Sequence, residues 1–183
     1  DPGLATGNQV INNDVSEFYN YGIYLDDQDG AIVRGNEVHR PFRTSGISTF
    51  YGIYLTGAPS KNNLLEKNQV HNSFGGAPTS TSANYGIYIN GADAPVGEEN
   101  KVINNILYDL NNNGLIYALY NLGSDGAQYY HNTVSLDNAA ATAGTTRGFY
   151  QSTTASNIEF KNNIISITRG GSGTKHAIYH NAS

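Results

Sequence analysis

The chain has 183 residues and a net charge of −5; only 14 % of its residues are charged, 21 are Gly, and Cys, Met and Trp are missing. This composition lacks the basic footprint of a nucleic-acid binder, and no apolar run approaches the ~20 residues of a membrane-spanning helix, so neither nucleic-acid binding nor membrane insertion is expected. The missing Met, an opening of Asp1-Pro2-Gly3 with little ordering power, and a stop at Ser183 partway through a repeat read as a fragment or processed module of a larger protein.

In chain order, Asn8 to Val15 alternates apolar and polar residues with β-branched content, which predicts a strand. Tyr21 to Leu25 predicts a second strand, and Ala31 to Arg34 a short third one. Polar or Gly-bearing turns separate them. The same sentence then returns. Asn-x-Val/Ile recurs at Asn8, Asn36, Asn68, Asn100, Asn132 and Asn162. A Tyr phrase follows each: YGIY from Tyr21, Tyr51 and Tyr85, then YALY from Tyr117, RGFY from Arg147 and HAIY from His176. Both phrases step by about 30 residues, the signature of a solenoid. Three short strands per repeat and no helical period predict an all-β, three-faced parallel β-helix of about six coils, forming one domain over residues 1–183. At roughly 4.8 Å per stacked strand the rod would be about 30 Å long.

Aligning the repeats gives three apolar columns to fill a narrow interior. The first is Val10, Val38, Val70, Val102, Val134 and Ile164. The second is Ile23, Ile53, Ile87, Leu119, Phe149 and Ile178. The third is Ile32, Leu64, Val96 and Ile158, broken by Gln128. The repeated Asn, from Asn8 through Asn162, lies two residues before the first column and so faces the same way. It reads as an asparagine ladder at an inside corner, with each amide bonded to the ones above and below; its role is structural.

The second Tyr of each phrase (Tyr24, Tyr54, Tyr88, Tyr120, Tyr150 and Tyr179) follows an inward residue and so points outward. Six Tyr in register form an aromatic ladder. Gly22, Gly52, Gly86, Ala118, Gly148 and Ala177, two residues earlier, are expected beside it on the outer face, where small residues would leave a groove. Tyr offers an apolar face and a hydroxyl together, which suits sugar rings. The same stack also stabilises a sheet through cross-strand pairs worth roughly 0.2–1 kcal/mol each. The first Tyr of each phrase, which gives way to Arg147 and His176, is expected at a partly exposed strand entrance.

The alternation of Asn-x-Val/Ile-x-Asn with Tyr-Gly-Ile-Tyr-Leu resembles the right-handed, single-stranded parallel β-helix repeats of carbohydrate-binding proteins and sugar hydrolases, NosD-like repeats in particular. The resemblance covers nearly the whole chain and is specific for fold. It implies an extracellular, cell-surface or periplasmic bacterial protein, and it admits lyases, hydrolases, epimerases and non-catalytic stalks. The Gly-His-Gly and Arg-Ile-Lys signatures of polygalacturonases and the Asp-Pro-His-Asp motif of alginate epimerases are missing.

Three further features are candidates. Asp26, Asp27 and Asp29 place three carboxylates in one turn, a set of oxygen ligands suited to Ca²⁺, although turns favour Asp in any case; no other cofactor is expected. His39, Arg40 and Arg43, with His71 in the column of His39, form a catalytic candidate, because the resemblance implies Lys or Arg as the proton acceptor of a uronate lyase. In that column Ile11, Ile103, Ser135 and Ile165 are expected beside the two His. Long turns at 42–50, 74–84 and 137–146 are expected to stack on one edge of the rod, beside the Tyr ladder. The reading that follows is a non-catalytic module for polysaccharide binding, adhesion or stalk architecture, with neighbouring domains or end-to-end self-association as its other contacts. The alternative is a catalytic fragment of a polysaccharide lyase, glycoside hydrolase or uronate epimerase.

Overall fold

The computed structural model describes residues 3–181. Asp1, Pro2, Ala182 and Ser183, and with them the module boundaries expected at the two termini, lie outside the described residues. Every element in the described residues is a β-strand, and no helix there is long and apolar enough to cross a membrane. Three six-stranded sheets carry the fold. The first holds Gln9–Ile11, Ile32–Arg34, Leu64–Glu66, Asn100–Ile103, Ala127–Tyr130 and Glu159–Lys161. The second holds Asp14–Ser16, Glu37–His39, Gln69–His71, Ile106–Tyr108, Thr133–Leu136 and Ile164–Ile167. The third holds Tyr21–Asp26, Phe50–Thr56, Asn84–Asn90, Ile116–Leu122, Thr146–Ser152 and Lys175–His180. Every neighbouring pair is parallel, as the equivalent strand of the next coil must be in a solenoid. The six strands of each sheet are joined by five coil-to-coil steps, so the six coils expected are five closed ones and an open end.

The apolar columns of the second and third sheets run Val15, Val38, Val70, Leu107, Val134, Ile165 and Ile23, Ile53, Ile87, Leu119, Phe149, Ile178. That of the first sheet runs Val10, Val33, Leu65, Val102, Tyr129, Phe160. In the middle coils these side chains are fully buried, and each aliphatic one stabilises the rod by roughly 1.5–3 kcal/mol. The third-sheet column has the membership expected from the sequence. The other two correct it. Asn8 to Val15 is not one strand but two, joined by a corner, so Val10 and Val102 belong to the first sheet and Val38, Val70 and Val134 to the second. Ile32 and Leu64 face outward in register with Lys101 and Gln128, one residue off the inward column, and Val96 is exposed in a turn.

The corner between the first two sheets explains the slip. In every coil it is a left-handed residue followed by an Asn: Asn12, Gly35, Lys67, Asn104, His131 and Asn162, with φ between 54° and 66°, precede Asn13, Asn36, Asn68, Asn105, Asn132 and Asn163. Asn and Gly adopt that backbone most readily. The second residue of each corner forms the ladder. Each amide Nδ2 donates to the Oδ1 of the next Asn at 2.9–3.0 Å. From Asn36 onward it also donates to a backbone carbonyl of the preceding coil. The expected ladder is therefore present, with Asn13, Asn105 and Asn163 in place of Asn8, Asn100 and Asn162. Asn100 joins Asn63 at the opposite end of the first sheet, and Asn8 there donates to Gln28.

Loops 40–49, 72–83, 109–115, 137–145 and 168–174 connect the second sheet to the third and lie on one another. Gly75 sits against the backbone of Pro41, where an added Cβ would come within 2.5 Å of the carbonyl oxygen. Two buried arginines hold these loops. Arg40 donates to the carbonyls of Tyr19, Ser48 and Ser73 at 2.7–3.1 Å. Arg169 donates to the carbonyls of Asn112, Gly114 and Gly144 and to the hydroxyl of Thr146 at 2.6–3.1 Å. Buried loop carbonyls need donors, and a guanidinium supplies several from one side chain.

Candidate functional site: the aromatic face of the third sheet

The third-sheet strands do not alternate strictly. A Cβ added to Gly22 would meet Val38 Cγ1 at 2.6 Å, and one added to Gly52 would meet Val70 Cγ1 at the same distance. The Gly/Ala column therefore faces the interior, as does the Ile column that follows it. Two successive inward residues bend each strand and let the main chain approach the second-sheet core. The groove of small residues expected beside the Tyr ladder is thus not on the outer face. In its place stands the first Tyr of each phrase.

The outer face accordingly carries two aromatic columns. One is Tyr24, Tyr54, Tyr88, Tyr120, Tyr150 and Tyr179; the other is Tyr21, Tyr51, Tyr85 and Tyr117, continued by Arg147 and His176. Tyr88 and Tyr120 stack at 4.5 Å and 4°, and Tyr120 and Tyr150 at 5.0 Å and 4°. Arg147 continues the aromatic column because its planar guanidinium lies 3.8 Å from the Tyr150 ring centre, 4.2 Å from that of Tyr179 and 4.8 Å from that of Tyr117. Such cation–π contacts are each worth roughly 0.5–2 kcal/mol.

Exposure is graded along the ladder. Tyr88, Tyr120 and Tyr150 are only 7–9 % exposed, whereas Tyr24 is 49 %, Tyr21 41 % and the adjacent Tyr19 55 % exposed. Tyr54 and Tyr179 are half-buried. Burial pushes the hydroxyls of Tyr85 and Tyr88 far above their ordinary value. Burial acts in the same direction at Tyr150, but hydrogen bonds from Ser152, Arg147 and Asn181 outweigh it and leave that hydroxyl below its ordinary value. In the middle of the rod each ring is covered by its neighbours.

The remaining candidates scatter. Asp26 lies beside Tyr24, whose hydroxyl is 3.4 Å from its carboxylate. Asp27 takes the left-handed corner after the strand, and Asp29 accepts a hydrogen bond from Asn62. Among the described residues the three do not converge as a group of metal-ligand atoms; Glu37, His39 and His71 do. Arg40 is fully buried, its nitrogens engaged by carbonyls, and desolvation, reinforced by Arg43, lowers its pKa to about 10. Arg43 binds the carbonyls of Glu17 and Gly46. His39 faces out from the second sheet. Arg40, Arg43 and His39 thus point into three different environments. His39 and His71 do share a column, as expected, but its other members are Ser16, Tyr108, Ser135 and Ser166 in place of Ile11, Ile103 and Ile165.

A shallow cavity of about 350 Å³ that the sequence did not signal lies on the first sheet, lined by Val96, Glu99, Gln128, Asn157, Ile158 and Glu159. Its two carboxylates come from a turn and from a strand two coils on, a pairing visible only once the first sheet's register is known. Hydrogen bonds from the Gly97 and Glu99 backbone hold the Glu99 carboxyl below its ordinary value, and hydrogen bonds from Tyr130 and Lys161 do the same for Glu159.

Compared with known protein families, the chain matches the model of the right-handed beta helix region over residues 4–182. No curated protein and no solved structure matches it.

Proposed function

The chain belongs to the right-handed β-helix family, whose fold is found in carbohydrate-binding and hydrolytic proteins, and from that premise we propose that it is a non-catalytic extracellular module that contacts polysaccharide through its exposed aromatic rings. The observation that carries this reading is the pair of outward aromatic columns, in register along the third sheet. The central rings serve as scaffold. Tyr21, Tyr24 and the half-buried Tyr54 offer ring surface for the C–H faces of a sugar, and the Asp26 carboxylate beside Tyr24 accepts hydrogen bonds from its hydroxyls. Residues on a rigid element are well suited to such contact, because little entropy is lost in ordering them.

The catalytic alternative has its best location in the cavity of Glu99 and Glu159. Glycoside hydrolysis needs one carboxyl kept protonated as the general acid, and a raised pKa keeps it so. Both carboxyls here are held low, the wrong sense for that general acid.

Retention on an array of purified polysaccharides tests the proposal. Tyr24→Ala is expected to weaken retention about tenfold or more with Tm unchanged, since loss of one ring contact in a binding site costs about 1–3 kcal/mol. Tyr88→Ala is expected to lower stability by about 3 kcal/mol and to leave retention by the folded protein intact. Wild-type retention by Tyr24→Ala, or no retention by the parent chain on any polymer, sinks the reading.

A further inference from the structure

We propose that Glu37, His39 and His71, on the outward face of the second sheet, form a binding site for a divalent transition-metal ion of the zinc type. The site is separate from the aromatic face and does not depend on the reading above. The register builds it. Glu37 and His39 are two residues apart on one strand and so emerge on the same side, and His71 lies directly above His39 on the next coil. Their ligand atoms all lie within 4.8 Å of one another. His71 Nε2 and Glu37 Oε1 are 3.0 Å apart, close to the edge of a coordination tetrahedron with bonds of about 2.1 Å. The ion replaces that hydrogen bond with two coordination bonds.

The surroundings hold the ligands in place. The His71 ring is clamped between His39, at 5.1 Å and 16°, and Tyr108, at 4.7 Å and 10°. It is only 5 % exposed, so the ring has little freedom to turn. His71 Nδ1 meets the Asn72 side-chain amide at 3.1 Å. When metal takes Nε2, the ring proton moves to Nδ1, and the amide turns to present its oxygen. Asn72 is thus a positioning residue of the kind that orients metal-bound imidazoles. Asp14, 2.8 Å from His39 Nε2, adds a second negative charge beside the site. Among the described residues, Asp14 and Glu37 have no Lys or Arg within ion-pairing distance; their partners are these two histidines. Two imidazoles with a carboxylate suit zinc, whereas Ca²⁺ and Mg²⁺ take all-oxygen shells.

The test is calorimetric titration of tag-free, chelator-treated protein with ZnCl₂, and with CoCl₂ followed by visible absorption. One saturable ion per chain is expected, with the visible bands of cobalt in a nitrogen–oxygen shell and a Tm that rises with metal concentration. Glu37→Gln, at a half-exposed position, should weaken binding at least about tenfold and remove the cobalt bands, and so should His39→Gln. His131→Gln should change nothing. Circular dichroism and metal-free Tm confirm that each variant folds. No saturable uptake of either ion overturns the proposal, as does undiminished binding by Glu37→Gln and His39→Gln, or binding that millimolar CaCl₂ displaces.

Discussion

The corner between the first two sheets and the outer face of the third both repeat one side chain per coil, yet they tolerate change differently. At the corner all six positions are Asn. Each amide must donate to its neighbour and accept from its neighbour in a fixed direction, and no other side chain does both at that length except by shifting the main chain. On the aromatic face, contact between stacked groups lacks that directionality. Arg147 and His176 enter one Tyr column without breaking it: Arg147 by setting its guanidinium 3.8–4.8 Å from three ring centres, His176 by packing 4.8 Å from Tyr179. Directional ladders demand identity, and stacked ones demand only flat, polarisable groups of similar size.

Breaking the corner should have the largest effect. Asn68→Ala removes the acceptor of the Asn36 main-chain N–H and side-chain amide, and the donor to the Val33 carbonyl and to Asn105. All are buried. With about 1–3 kcal/mol for each group left unpaired, a loss of about 4 kcal/mol is expected in a urea titration. A loss below about 1 kcal/mol would show that the corner relaxes and is not a directional ladder.

A smaller effect sharpens the other side of the comparison. The corner amides do not titrate, but the rings do. Tyr85 and Tyr88 hold their protons in the folded rod above the ordinary value of 10.0, because burial disfavours the phenolate. The unfolded chain releases the same protons near pH 10, so above that point it binds fewer protons than the folded one and stability falls as pH rises. Arg40, lowered to about 10 by burial, acts in the opposite sense, since the folded rod gives up that proton first. Tm should therefore be level to about pH 9 and decline beyond it, and Tyr88→Phe should flatten the decline. An equally steep decline in Tyr88→Phe would locate the alkaline sensitivity elsewhere.

The same contrast decides what could be read from the sequence. The third sheet was legible because its phrase occurs once per coil and its Tyr and Ile columns are unambiguous. The Asn ladder was legible as a device but not in its membership. Asn-x-Val or a close variant appears on both sides of the corner, as in Asn8-Gln9-Val10 and Asn13-Asp14-Val15, so an even spacing of about 30 residues could be assembled from two different sheets. The inward Gly22 column was not legible, because two consecutive inward residues violate strand alternation. Nor were the partners of His39 and His71: Glu37 comes with the strand, but Asp14 arrives from the preceding coil, which only the true register aligns. Arg40 was visible as a charge, and nothing local marked it as buried.

The two buried arginines bear on how the rod comes apart. In a solenoid each repeat ordinarily touches only its neighbours and can peel away one at a time. Arg40 ties Tyr19 of the first coil, Ser48 of the second and Ser73 of the third; Arg169 of the sixth coil ties Gly144 of the fifth and Asn112 and Gly114 of the fourth. Neither crosses the step between the third and fourth coils. Amide exchange should therefore show the connecting loops of the first three coils opening together and those of the last three opening together, while the strands that run through the step between them stay protected; loops that open one coil at a time would refute it.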